Sequence, residues 1–439
     1  MTTLENRFKT IFDQLQQPPS SIPKTQWQTN RKKLLIMMGL IFVLTFLTLL
    51  LPSLIRIDAN TGPNGLCPVV LGHRGAAGIY PEHTVIAYEN GADLGADYIE
   101  CDVQITKDLH LVCSHEAWIK EVCNVEEHPE FGNRSNTYNM DDDDPDFDWN
   151  DKGDIGPNFF TIDFNVNELK TLLRRQVTPS RNPNFDDKYS FVSFDEYVSI
   201  AKSKGVGIAP EIKSPTAINK ILAERGKNVT VEDLVLAALS KHGYSGPDDK
   251  CLLQSFELSS IERLKGRTGV KRVFLLKRAA KTNQENLQRV KNADVFSICL
   301  DKTLILPLDS KGNCGVPNQA LVEQIHALGM QVYAYTFKNE LTSLCWNYLG
   351  DVQNELDKFY ELGLDGYFAD YPNTVRSFFD QQNCTRESMD DSNGATSIGF
   401  GFWGMGRIPP LTTQFSLSHW IMLVFATATA IPLLIGLLA

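Results

Sequence analysis

Eight short apolar runs, at 68–72, 98–103, 206–212, 251–256, 273–276, 295–300, 331–336 and 366–369, are separated by gaps long enough for a crossover. Helix-like patterns at 82–94, 194–204, 231–242, 318–328 and 352–362 fill several of those gaps. Strands joined through helices run parallel, so the pattern predicts an eight-stranded α/β barrel. One extra run, 109–114, follows the second strand too closely for a helical crossover. So short a connection allows only an antiparallel hairpin, turning at Lys107 and Asp108. Its return carries His115 back beside Glu100 and Asp102. Residues 117–190 then form a long insertion.

Ionisable residues gather at the predicted C-terminal strand ends, where such barrels place their active sites. His73 and Arg74 end the first strand, and Glu211 and Lys213 end the third. Glu100 and Asp102 are two apart on the second strand and so face one side. Three carboxylates at one rim repel unless a cation sits among them. An all-oxygen set of Glu100, Asp102 and Glu211 suits Mg²⁺ or Ca²⁺ better than zinc. His73 and His115 suit proton transfer near neutral pH. Arg74 and Lys213 are placed to hold an anion. Metal, acid–base pair and anion clamp together point to phosphoryl transfer. His83, opening the first helix, reads as structural.

Two apolar segments frame this region. The first, 34–51 (LLIMMGLIFVLTFLTLLL), carries no charge and follows Arg31, Lys32 and Lys33. As a helix it spans roughly 27 Å, enough for a bilayer core. The 33-residue leader is too long for a cleaved signal, so a signal anchor is expected. The leader holds six Lys/Arg against two acids, which leaves it cytosolic and the rest lumenal or extracellular. The second segment, 420–439, is a second span or a GPI-attachment signal after a linker at 381–419. A long spacer and the first anchor favour the span. Sequons at Asn133, Asn228 and Asn383 agree with a lumenal domain.

The net charge of −11 argues against nucleic-acid binding, and any anionic substrate must meet local positive groups. Nine cysteines, without a CxxC, give no support to a zinc site. In an oxidising compartment some pair, and the odd number leaves at least one over. Cys101, Cys113, Cys251 and Cys299 lie in apolar runs and read as buried small hydrophobes. The stretch DFDWNDKGD lacks the Gly and Glu of an EF-hand and reads as a solvated loop.

The blocks LGHRGAAGIYPEHT, GADYIECDVQITKD, VCSHE and APEIK resemble the signatures of glycerophosphodiester phosphodiesterases. QSF at 254–256, YTFKNE at 335–340 and LDGYFAD at 364–370 match later blocks in the same order, so the resemblance spans roughly residues 67–380. It implies a phosphatidylinositol-phospholipase-C-like TIM (β/α)8 barrel, with a β-hairpin extension after strand 2, a long insertion and terminal transmembrane helices. It implies a divalent cation on Glu100, Asp102 and Glu211, and His73 and His115 as the acid–base pair. Arg74 and Lys213 would contact phosphate, and Phe256 and Phe337 would line a glycerol pocket. The implied reaction yields sn-glycerol 3-phosphate and an alcohol. A lysophospholipase D acting on lipid at the membrane uses the same chemistry. A non-catalytic binding module would be expected to have lost some of these residues. Two departures stand out: Glu116 replaces an Asp, and Leu109 replaces a turn Gly, requiring a turn without positive φ there.

Overall fold

The computed structural model describes residues 67–141, 153–277 and 282–382, with Pro23 and Cys384. The expected membrane segments, the acidic run at 142–152 and Asn383 lie outside them. No helix among the described residues is long and apolar enough to cross a membrane.

Eight parallel strands close on themselves: β1 (Val69–Gly72), β2 (Tyr98–Ile105), β6 (Gly207–Ile212), β7 (Leu252–Ser255), β8 (Lys271–Leu276), β9 (Ser297–Asp301), β10 (Gln331–Phe337) and β11 (Gly366–Ala369). Closure comes from β1, which pairs with β11 on one side and β2 on the other. The short β3 (Leu111–Cys113) turns back antiparallel on β2, with Val103 opposite Cys113. The insertion carries a two-stranded sheet of β4 (Asn136–Asn139) and β5 (Asp154–Asn158).

Alternation along each strand sorts the side chains into two layers. Leu71, Ala209, Leu252, Val273, Cys299, Tyr333 and Phe368 form a cluster on one face of the sheet. Ile99, Cys101, Val103, Ile208 and Ile298 pack in the larger cluster with the helices. The helix Phe194–Lys204 shows how sequence fixes the second layer. Ser193 and Glu196 form a capping box, Gly205 ends the helix at φ 70°, and Phe194, Tyr197, Val198 and Ala201 are buried. The Tyr197 hydroxyl donates to the Ile99 carbonyl at 2.7 Å and accepts from the Ala209 amide at 3.0 Å. It thereby locks β2 against β6 next to Glu100 and Glu211.

Three bridges join Cys67–Cys384, Cys101–Cys113 and Cys314–Cys345. Cys251 and Cys299 are buried free thiols as expected. Cys101 and Cys113 correct that expectation: the hairpin register brings them into bonding range. Leu109 is a second correction, at φ 63°. Its amide bonds the Thr106 carbonyl at 3.0 Å, and the Thr106 hydroxyl caps the His110 amide at 2.9 Å. The turn keeps the left-handed geometry a glycine would adopt and imposes it on leucine.

Candidate active site

The turn after β1 needs Gly75 at φ 86°, because a Cβ there would stand 2.5 Å from the Ala87 carbonyl. That turn aims His73 and Arg74 at a cavity of about 440 Å³ at the C-terminal strand ends. Glu100, His115, Glu211, Lys213 and Phe256 line the same cavity. Asp102 sits behind this wall, aligned with Glu211 across the β2–β6 pair. One carboxylate oxygen from each of Glu100, Asp102 and Glu211 lies within 4.8 Å of the others. Glu100 Oε1 is buried without a hydrogen-bond partner, while Oε2 accepts from the Arg74 amide at 2.7 Å.

The charges have opposite responses to this crowding. Burial, then Asp102 and Glu211, raise the Glu100 carboxyl well above its ordinary range. Burial raises Glu211 to about 8, and Asp102 adds to it against the opposing Lys213. For Asp102, burial is overcome by Lys213, His115, His83 and Arg74, which hold it well below its ordinary value. Lys213 Nζ lies 2.8 Å from Glu211 Oε1 and 3.2 Å from Asp102 Oδ1. Burial, then Arg74 and Lys213, bring His115 down to about 4. Burial and Arg74 also lower His73.

Each imidazole is held by a carboxylate at Nδ1. His73 Nδ1 meets Asp370 Oδ1 at 2.6 Å, and His115 Nδ1 meets Glu116 Oε1 at 3.1 Å. The longer Glu116 arm therefore reaches its histidine.

Beside His83, read as structural, sequence reasoning passed over four supports: Glu82, Arg174, Arg181 and Asp370. His83 is fully buried; its Nε2 contacts Asp102 at 2.9 Å and its Nδ1 contacts the Tyr88 hydroxyl at 2.7 Å. Glu82 bridges Arg74 at 2.5 Å and the buried Arg174 at 3.2 Å. Asp370 accepts from Arg181 as well as His73. Arg181 also donates to Glu340 Oε1 at 2.6 Å and to the Ala77 carbonyl at 3.0 Å. Both arginines come from the insertion. Asp370 lay within a recognised block, but its partners are 189 and 297 residues away.

Phe337 is the residue that the fold does not bring to the cavity. It is buried against Tyr367 and Phe359, with ring centroids 4.7 and 5.1 Å away. The register of β10 with β11 shifts between Ala334 and Phe337, which breaks the alternation that would have turned Phe337 inward. Tyr335 lines the cavity instead, edge-on to Phe256 at 5.6 Å.

The family model for the glycerophosphoryl diester phosphodiesterase family matches residues 73–374. Glycerophosphodiester phosphodiesterase GDPD6 of Arabidopsis thaliana is 31% identical over 333 residues, covering 71% of this chain and 86% of the relative. A glycerophosphodiester phosphodiesterase of Haemophilus influenzae is 27% identical over 214 residues, covering 45% and 52%. A solved Silicibacter pomeroyi chain bearing the glycerophosphoryl diester phosphodiesterase name shares the fold, with TM-score 0.52 and 17% identity, over 74% of this chain and 98% of that one. The protein is thus an enzyme of the TIM-barrel phosphodiesterase class. More narrowly, it belongs to the glycerophosphoryl diester phosphodiesterase family.

Proposed function

We propose that this enzyme hydrolyses glycerophosphodiesters to sn-glycerol 3-phosphate and an alcohol, using His73 and His115 as its acid–base pair. The carrying observation is one cavity lined by both imidazoles, Arg74, Lys213, Glu100 and Glu211. Glu100, Asp102 and Glu211 would hold a divalent cation. Their donor set, the unpartnered Glu100 oxygen and the two raised carboxyls all favour one, and oxygen ligation fits Mg²⁺ or Ca²⁺. Such a cation supplies Lewis-acid polarisation of the phosphate when bound.

The chain's own groups do the rest. Arg74 and Lys213 hold the phosphodiester oxygens and offset the charge that develops on them. Asp370 and Glu116 occupy the two Nδ1 atoms, which leaves each Nε2 for proton transfer. One histidine takes a proton from the attacking glycerol 2-hydroxyl or water, and the other gives one to the leaving alcohol. Burial and the Arg74 charge lower both imidazoles, with Lys213 adding to this at His115; the bound phosphodiester offsets those cationic charges, so one imidazole can carry that proton.

The three disulfides support a lumenal or extracellular address. Asn133 and Asn228 are exposed, as glycan acceptors must be. These features favour the membrane-anchored reading of segments 34–51 and 420–439.

The test is a panel of glycerophosphodiesters assayed with the full chain, with Mg²⁺ or Ca²⁺ restored after chelation. His115→Ala is expected to abolish turnover, and phosphorus NMR distinguishes a cyclic phosphate from direct hydrolysis. Near-normal turnover by that variant would sink the histidine scheme. Full activity after rigorous chelation would sink the cation.

A further inference from the structure

Exposed large apolar side chains are concentrated in one place. Leu308 is 52% exposed, Val316 84%, Leu341 71%, Trp346 74% and Leu349 93%. Among the described residues the other two of this kind, Val85 and Val177, are each only 37% exposed. All five belong to the loops that follow β9 and β10, at the active-site end of the barrel.

These loops are built as one unit. The Cys314–Cys345 bridge joins them, and Leu308 pairs with Cys314 in an antiparallel bridge. The Trp346 amide bonds the Gly312 carbonyl at 2.9 Å, and the Cys314 amide bonds Asn347 Oδ1 at 3.0 Å. Gly312 supports the indole face: a Cβ there would stand 2.4 Å from the ring. Leu349 is held at φ 54°, a strained backbone state for leucine, and still points its side chain to solvent. Strain accepted without burial points to a use outside the fold.

The rim is continuous with the chemistry. Leu308, Thr342 and Ser343 line the active-site cavity, together with Lys338. Water-soluble diesters gain nothing from an apolar lip. A diester that retains an acyl chain does, because its tail leaves the cavity across Leu308 while its phosphate stays inside. An indole beside aliphatic side chains is also the composition found at membrane–water interfaces. Exposed apolar side chains gathered on two linked loops mark a docking surface.

We propose that the Cys314–Cys345-linked loops dock on a lipid surface and draw lysophospholipid headgroups from it into the cavity. This rests on the phosphodiesterase reading above and names a substrate class for the same site.

The experiment compares two substrates in one preparation of the full chain: glycerophosphocholine in solution, and lysophosphatidylcholine carried in phosphatidylcholine vesicles. The variants are Trp346→Ser and Leu349→Asn, the second chosen because asparagine tolerates the left-handed backbone. Both are expected to keep their glycerophosphocholine rate within about twofold and to lose at least about tenfold on vesicle-borne substrate. Unchanged vesicle rates would overturn the proposal, as would equal losses on both substrates. A change in self-association with vesicle rates intact would instead assign the rim to a second copy. If the wild type cleaves neither substrate, the underlying function fails on its own. The rim is then judged by indole quenching with brominated phosphatidylcholine, which Trp346→Ser must diminish.

Discussion

Replacing Arg181 by methionine isolates the reach of the insertion into the active site. The Asp370 carboxylate is 3% exposed and makes close ion pairs with His73 and Arg181. Burial opposes its charge, but His73 and Arg181 outweigh that and keep it ionised. Removing the guanidinium also strands the Ala77 carbonyl and one contact to Glu340. Breaking a buried pair from one side costs about 3–5 kcal/mol. At roughly 2 °C per kcal/mol in a domain of this size, the melting temperature falls by about 6–10 °C.

The kinetic effect has a different signature. Arg181 is absent from the cavity wall, so KM should hardly move. Asp370 loses its second anchor, and a misplacement of His73 by ~1 Å lowers kcat about 100-fold. With Arg181 gone, more of the Asp370 charge acts on His73, so the His73 pKa rises and whichever limb of the kcat/KM profile His73 governs moves to higher pH. Arg181→Lys should recover part of kcat, because it restores the charge without the fork. The assay is steady-state kinetics at 20 °C across pH 5–9, beside calorimetry. A folded Arg181→Met protein with wild-type kcat, or one altered only in KM, refutes the coupling.

Leu109→Gly should change stability by less than about 1 kcal/mol, since relief of the left-handed leucine at φ 63° is offset by lost packing against the core and added chain entropy; a larger loss in a denaturant melt would refute that offset. Glu82 gives a pH signature. Burial opposes its ionisation, but Arg74, His83 and Arg174 lower it from an ordinary 4.5 to about 2. A carboxyl depressed on folding adds stability above pH 4.5 and loses it as pH falls through 2; at ~1.36 kcal/mol per pH unit this is about 3 kcal/mol. Calorimetry at pH 2–5 should show that acid slope in the wild type and a shallower one in Glu82→Gln. Reduction of Cys101–Cys113 frees a short loop and should remove about 3 kcal/mol, lowering turnover as Glu100 and Asp102 on β2 lose their tie to the His115 hairpin.

The strands were readable because each is a compact apolar run between polar gaps, and all eight lie within a few residues of their expected places. Glu100, Asp102, Glu211 and His115 were readable for a related reason: parity along β2 and β6, and a connection too short for a helix, place them by local rules. Arg174, Arg181 and Asp370 obey no local rule. Their meaning comes from contacts across 92 to 297 residues of chain. His83 reads as structural and is buried as such, but its partner Asp102, 19 residues on along the next strand, follows from no local rule. Phe337 was placed by the family resemblance, and the register shift in β10 turns it away from the cavity at that point. The cysteine pairings needed the closed barrel, which brings residues 67 and 384 together across a separation of 317.

That last bridge sets how the barrel experiences its surroundings. It ties the residue just before β1 to the one just past the final helix, Pro372–Gln381. A pull applied through both flanking segments is therefore carried by a covalent link, and the hydrogen bonds between β1 and β11 are spared the load. A single proteolytic cut in a surface loop likewise leaves two pieces that cannot drift apart. Whatever the flanking segments attach to, the catalytic rim is mechanically insulated from it.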